Sequence, residues 1–209
     1  SPRFLGRFMW PVNPATVEWA DAASGNCSAL EAEAGLATEV QLRYPVGLAI
    51  DATARVLYVA DSGNHVIRRV DLVTGNISIV AGELPVGGDL EEGSNLTNSS
   101  LRSPLGVALD TMAQHLFVAD TGNHVIRRLN LSDGELLTVV GTGMQGYAGD
   151  GGLAVLAQLD QPQAVLADPG TRQLYVADTH NHVVRVVALE GGTISRFAGI
   201  TRSCGSAGD

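Results

Sequence analysis

Residues 59–72 read VADSGNHVIRRVDL, and the frame returns as VADTGNHVIRRLNL at 118–131 and as VADTHNHVVRVVAL at 176–189. The histidine after the asparagine falls at 65, 124 and 182, a period of 59 and then 58 residues. A fixed period of this length marks a repeat architecture, in which each unit buries its apolar face against its neighbours. Extended outward, the units run over 36–82, 96–141 and 153–199. Each holds four short runs rich in β-branched and aromatic residues. In the first unit these are GLAI, VLYVA, HVIRRVD and ISIVA, separated by DATAR, DSGN and LVTGN. Such runs with Gly, Asn and Asp in the gaps read as strands joined by hairpin turns. In the third run Val66 and Arg68 fall on one face and Ile67 and Arg69 on the other, because strand side chains alternate. Four antiparallel strands per unit and a Gly-rich return loop describe a propeller blade. The fold class expected is therefore all-β, a β-propeller segment of four-stranded antiparallel blades. The one helix-friendly stretch, NCSALEAEAGLATEV at 26–40, is weakened by its central Gly35.

Three motifs recur in register: PVGLAID with LYVADSGNHVIRRV, PLGVALD with LFVADTGNHVIRRL, and PQAVLAD with LYVADTHNHVVRVV. They resemble the NHL repeat family, as does the segment GTGMQGYAGDGGLAVLAQLDQP at 141–162. The resemblance covers residues 29–209 and implies three full blades of a six-bladed ring. It divides the chain into repeats at 29–82, 83–141 and 142–199, with an unassigned leader over 1–28. The closing ITRSCGSAGD compares with TGMQGYAGD at 142–150, so residues 200–209 read as the start of a further repeat. Family members serve chiefly as interaction platforms in larger proteins. Some relatives bind RNA through a basic face, and some related propellers are lyases or hydrolases with a metal on the axis.

Composition narrows these options. The chain has 209 residues and a net charge of −9, and all 13 of its basic residues are arginine. Lysine-dependent chemistry is excluded, and an acidic chain with no basic run is poorly suited to neutralising phosphates, so nucleic acid is not expected as a partner. No apolar run approaches the roughly 18 residues of a membrane helix, so no membrane insertion is expected. The start lacks both an initiator Met and an apolar leader core and reads as internal or processed. Five of the nine asparagines, Asn26, Asn76, Asn95, Asn98 and Asn130, open an N-x-S/T triplet. That excess points to the secretory pathway, a secreted or cell-surface location and N-linked glycan. The loop pair Asn95 and Asn98 is the most open context.

The repeated Asp, Asn and His admit two readings. Three histidines on one metal would have to line the central channel, whereas a propeller scatters equivalent positions around its ring. The alternative is turn chemistry: Asp61, Asp120 and Asp178 end the second strand, Asn64, Asn123 and Asn181 close the turn, and His65, His124 and His182 open the third strand. Asp and Asn side chains bond turn backbone and tolerate left-handed geometry, and the turn reading is adopted. The Arg68-Arg69 and Arg127-Arg128 pairs are expected to pair locally with nearby Asp. The stretch at 141–152 lacks the Gly-Lys-Ser/Thr ending of a phosphate loop and carries Asp150, so it reads as a return loop. His115 falls in a hairpin loop. The inner strands GLAI, GVAL and AVLA offer no polar group beyond terminal Asp51, Asp110 and Asp168. The expectation is a non-enzymatic scaffold for protein or glycan contacts in a larger extracellular or cell-surface protein, with no catalytic residue, metal or cofactor. Its partners would be other proteins or further domains of the same chain. Half of a propeller lyase or hydrolase with an axial metal is the alternative. Cys27 and Cys204 lie three repeats apart, on opposite sides of a six-bladed ring, and are not expected to pair with each other.

Overall fold

A computed structural model describes residues 34–84 and 100–201. They form three antiparallel sheets, one per repeat. The first contains β2 (Pro45–Asp51), β3 (Val56–Asp61), β4 (Val66–Asp71) and β5 (Asn76–Ala81). The second contains β6 (Pro104–Asp110), β7 (His115–Asp120), β8 (Val125–Asn130) and β9 (Leu136–Val140). The third contains β10 (Pro162–Asp168), β11 (Gln173–Asp178), β12 (Val183–Ala188) and β13 (Ile194–Gly199). Strands follow one another in space as in sequence. Register repeats as well: Asp61 pairs with Val66, Asp120 with Val125 and Asp178 with Val183. The described residues contain short 3-10 turns and no α-helix.

A fifth strand, β1 (Ala34–Leu36), extends the first sheet by pairing Leu36 with Asn76 and Ala34 with Ser78. The tail of the helix-friendly stretch is thus extended chain laid along its blade. Blade three repeats this in shortened form, with Leu153 bridging Thr193 and the Ala154 N–H donating to the Gly192 carbonyl at 2.7 Å. The same loop reaches back to blade two, where the Gly141 N–H donates to the Ala154 carbonyl and the Thr142 N–H to the Ala157 carbonyl, each at 2.9 Å. The Gly-rich stretch is a return loop that clamps two blades.

The core lies between blades. Val56, Tyr58, Ala60 and Ile67 of blade one meet Leu101, Leu116, Val118 and Leu129 of blade two. Phe117, Ala119, Ile126 and Val140 of blade two meet Leu159, Leu174, Val176 and Ile194 of blade three. Fully burying one such side chain is worth about 1.5–3 kcal/mol, so each blade depends on its neighbour. Equivalent leucines make this visible. Leu101 and Leu159 are 0% exposed against a preceding blade, whereas Leu42 is half-buried. On the open side of blade one Leu48 and Ile50 are exposed, and on the open side of blade three Leu166 and Phe197 are. The inner strands β2, β6 and β10 run side by side. They approach so closely that a Cβ on Gly106 would stand 2.7 Å from the Ala164 Cα.

Candidate functional site

The repeated turn joins the second and third strands of every blade. Asp61 ends β3, Ser62–Asn64 make one 3-10 turn, and His65 follows at φ 60° before β4. His124 and His182 repeat this, each at φ 58°. The left-handed residue is therefore the histidine, a correction to the expectation that Asp or Asn takes that geometry and that the histidine opens the strand. A left-handed side-chain residue costs about 1–2 kcal/mol, which calls for compensation. That compensation comes from the next blade: His65 Nδ1 accepts a hydrogen bond from the Ser103 N–H at 3.0 Å, and His124 Nδ1 from the Gln161 N–H at 3.1 Å. Ser103 and Gln161 are themselves left-handed, at φ 48° and 44°, just ahead of the prolines that open β6 and β10. His182 has the same backbone, and its ring is exposed. The turns of His65 and His124 thus reach beyond their own blade to the next one.

The aspartate works inside its blade. Asp61 Oδ1 accepts the Arg43 N–H at 2.6 Å, fixing the approach to β2. Its Oδ2 accepts from Asn64 Nδ2 at 2.9 Å and from Arg68 Nε at 2.8 Å, with both charged side chains 0% exposed. Asp120 accepts the Arg102 N–H at 2.7 Å and Asn123 Nδ2 at 2.9 Å. Burial pushes Asp120 up to about 6, opposed by those two bonds and by the charge of Arg127. Asp178 accepts the Asp160 N–H at 2.8 Å and Asn181 Nδ2 at 2.9 Å, and burial raises it too. None of the three aspartates bonds the turn backbone through its side chain. Burial, then the charges of Arg43 and Arg102, lower the pKa of His65, which favours the neutral ring that accepts from Ser103.

Blade three departs from the pattern. Arg185 lies 3.4 Å from Asp178 and 2.8 Å from Asp150 of the return loop, and its guanidinium covers the Tyr147 ring at 4.7 Å. Asp150 is thus a second anion for a buried arginine. Sequence reasoning missed this because Asp150 was weighed only against phosphate. Gln145 Nε2 donates to Asp160, whose carboxylate lies 3.7 Å from both His124 and His180.

The other singled-out residues hold turns. Asp51 Oδ1 accepts from Thr53 and Ala54 N–H, Asp110 from Met112 and Ala113, and Asp168 from Gly170 and Thr171. Asp110 also pairs with Arg172 of blade three at 2.8 Å. His115 opens strand β7 rather than sitting in a hairpin loop, pairing with Asn130 just as Val56 pairs with Asp71 and Gln173 with Ala188. Asn76 is exposed at the start of β5, whereas the Asn130 side chain is engaged by Ser132 and Asp133. Asn26, Asn95, Asn98, Cys27 and Cys204 lie outside the described residues. No group of three His, Cys, Asp or Glu among the described residues could hold a metal ion. Nor is any described helix long and apolar enough to cross a membrane.

Three meandering sheets, packed face to face around side-by-side inner strands and locked by one recurring turn, are blades of a β-propeller. The chain carries NHL repeats: residues 42–69 match the family model described as NHL repeat. It is 31% identical over 156 residues to NHL repeat-containing protein 2 of Gallus gallus, covering 72% of this chain and 21% of that protein. It is 29% identical over 155 residues to Protein SUPPRESSOR OF QUENCHING 1, chloroplastic, of Arabidopsis thaliana, covering 74% and 15%. The chain spans less than a quarter of the length of these curated relatives. Among solved structures, a chain of the nidogen/laminin complex superposes with a TM-score of 0.57 at 20% identity, covering 77% of this chain and 50% of that one. A gluconolactonase from Xanthomonas campestris superposes at 0.54 and 17% identity, covering 77% and 49%.

Proposed function

We propose that this chain is a non-enzymatic propeller scaffold that presents protein or glycan contacts within a larger extracellular or cell-surface protein. The observation that carries this reading is that its recurring polar residues bond inward. The aspartates accept from asparagine, arginine and the approach to the innermost strand, and two of the histidines accept from the next blade. Catalysis needs polar groups free to meet a substrate, and this motif spends its groups on holding blades together. The apolar open faces at Leu48 and Ile50 and at Leu166 and Phe197 favour further blades of a six-bladed ring on either side. The five N-x-S/T triplets support an extracellular setting. A nidogen/laminin complex illustrates the fold in an assembly of proteins.

The second reading, a hydrolase completed by further blades, takes its support from the gluconolactonase likeness. The discriminating experiment pairs a lactone-hydrolysis assay, with calcium, magnesium and zinc each titrated in, with binding of the glycosylated chain to immobilised extracellular-matrix proteins. Saturable binding without metal-dependent turnover is the expected result. Turnover that depends on metal would replace the scaffold reading by the hydrolase one.

A further inference from the structure

The cores between blades are not equivalent, and the difference leaves one arginine without a partner. In blade one Arg69 hydrogen-bonds the Tyr58 hydroxyl. The corresponding pair in blade two is Arg128 and Phe117, so the hydroxyl is gone. Arg128 Nε is shut off from solvent with no hydrogen-bond partner, and the side chain makes no ion pair among the described residues. Beside it a cavity of 240 Å³ opens between blades two and three, walled by Phe117, Val140, Val155, Leu174 and Val187. Three further polar side chains reach it, and one of them, Thr138, accepts from Arg127 Nη1 at 3.0 Å. Arg172 is already neutralised by Asp110 at 2.8 Å, with Glu190 at 3.8 Å. His115 is held towards its neutral form by burial first and then by Arg128. One half-buried guanidinium with no ion pair among the described residues therefore sits at a largely apolar cleft.

We propose that this inter-blade cleft binds a small organic monocarboxylate with an apolar body. A guanidinium takes a carboxylate through charge-assisted, bidentate hydrogen bonds, and such bonds strengthen where water is excluded. The apolar walls accept the body of the ligand. The volume is below the 300–1,000 Å³ typical of drug-sized sites, which limits the ligand to a single ring or a short branched chain. A monoanion matches that single guanidinium. A dianion would meet Asp110 and Glu190 behind Arg172 and is disfavoured.

The test is calorimetric and NMR titration of the 209-residue chain with benzoate as probe and benzamide as its neutral twin. Saturable benzoate binding is expected, with benzamide at least about tenfold weaker. Arg128→Gln should abolish binding. Phe117→Tyr, which rebuilds the tyrosine–arginine pair of blade one and keeps the fold, should weaken it by about tenfold or more. Arg69→Gln should leave it unchanged. The proposal is overturned if benzoate fails to saturate below about 10 mM. Equal binding of benzamide, wild-type affinity in Arg128→Gln or Phe117→Tyr, or loss of binding in Arg69→Gln would overturn it too.

Discussion

Replacing Asp61 by alanine removes the acceptor for three donors at once: the Arg43 N–H, Asn64 Nδ2 and Arg68 Nε. Arg68 is 0% exposed, so its guanidinium stays buried beside an apolar methyl. Breaking a buried pair from one side costs about 3–5 kcal/mol, because the desolvated guanidinium loses that carboxylate. Against a typical stability of about 5–15 kcal/mol that is a large loss. The same substitution at Asp178 should be milder. Arg185 keeps Asp150 at 2.8 Å and the Tyr147 face at 4.7 Å, so its charge stays compensated. What remains is the loss of hydrogen bonds to the Asp160 N–H and Asn181, about 1–3 kcal/mol. Urea unfolding followed by circular dichroism measures both, provided the slope is unchanged so that the midpoint shift reports stability. Asp61→Ala should lower the midpoint by clearly more than Asp178→Ala, and adding Asp150→Ala to the latter should bring the two together. Equal costs for the single variants, or less than about 1 kcal/mol at Asp61, would refute the assignment of Asp150 as a second counter-ion.

Gly106→Ala should cost about 1–3 kcal/mol, because its Cβ would stand 2.7 Å from both the Ala164 Cα and the Gln163 carbonyl, forcing the inner strands apart. A thermal melt unchanged from wild type would show that the inner strands have room to part. Acid works in two directions. Asp120, at about 6 in the fold and 3.8 when free, contributes stability that is present below 3.8 and lost as pH rises through about 6. His65, lowered by burial, contributes stability present above its ordinary 6.5 and lost as pH falls through its folded value. Asp120→Asn removes the first effect, so between pH 7 and 5 the variant should lose melting temperature more steeply than wild type; parallel curves would contradict this. If the chain is glycosylated in secretory cells, glycoproteomics should find Asn76 occupied above Asn130, whose amide and carbonyl already bond Asp133 and Ser132; the reverse order would count against the side-chain assignment at that turn.

The fold was legible because blade geometry is written twice, in the alternation of each run and in the period of 59 and 58 residues. Both follow from where apolar side chains must go, and a single sequence carries that information. The turn was legible as a turn, since Gly, Asn and Asp between two strands leave few alternatives. Its bonding was not. Nothing in VADSGNH says that the left-handed residue is the histidine, because the compensation lies at Ser103, 38 positions away in another blade. Asp61 likewise bonds an N–H 18 residues upstream. Such partners are set by how blades stack, which periodicity does not encode. The cleft beside Arg128 had a faint signal in the sequence. The second strand reads LYVAD, LFVAD and LYVAD, and the one Phe coincides with a retained arginine that unit three replaces by Val186. Read singly, each change is conservative, and only the Tyr58–Arg69 bond shows what the pair exchanges.

Why the frame keeps Asp, Asn, His and Arg together follows from how a repeat array is stabilised. Stability is the sum of what each unit supplies alone and what each interface adds. Here one turn contributes to both. Its aspartate gathers Asn64, Arg68 and the approach to β2, an internal tie that needs no neighbour. Its histidine adopts a backbone costing about 1–2 kcal/mol and recovers it through a bond that exists only when the next blade is docked. The strain is therefore an interface term: a blade without its successor carries the cost, and a docked blade does not. The Ser103 and Gln161 backbones, left-handed ahead of proline, add strain on the receiving side of the same contact. Coupling of this kind makes partial arrays less stable per blade than complete ones. It explains why an unusual residue choice at a left-handed position recurs three times, where glycine would relieve the local strain and abandon the bond.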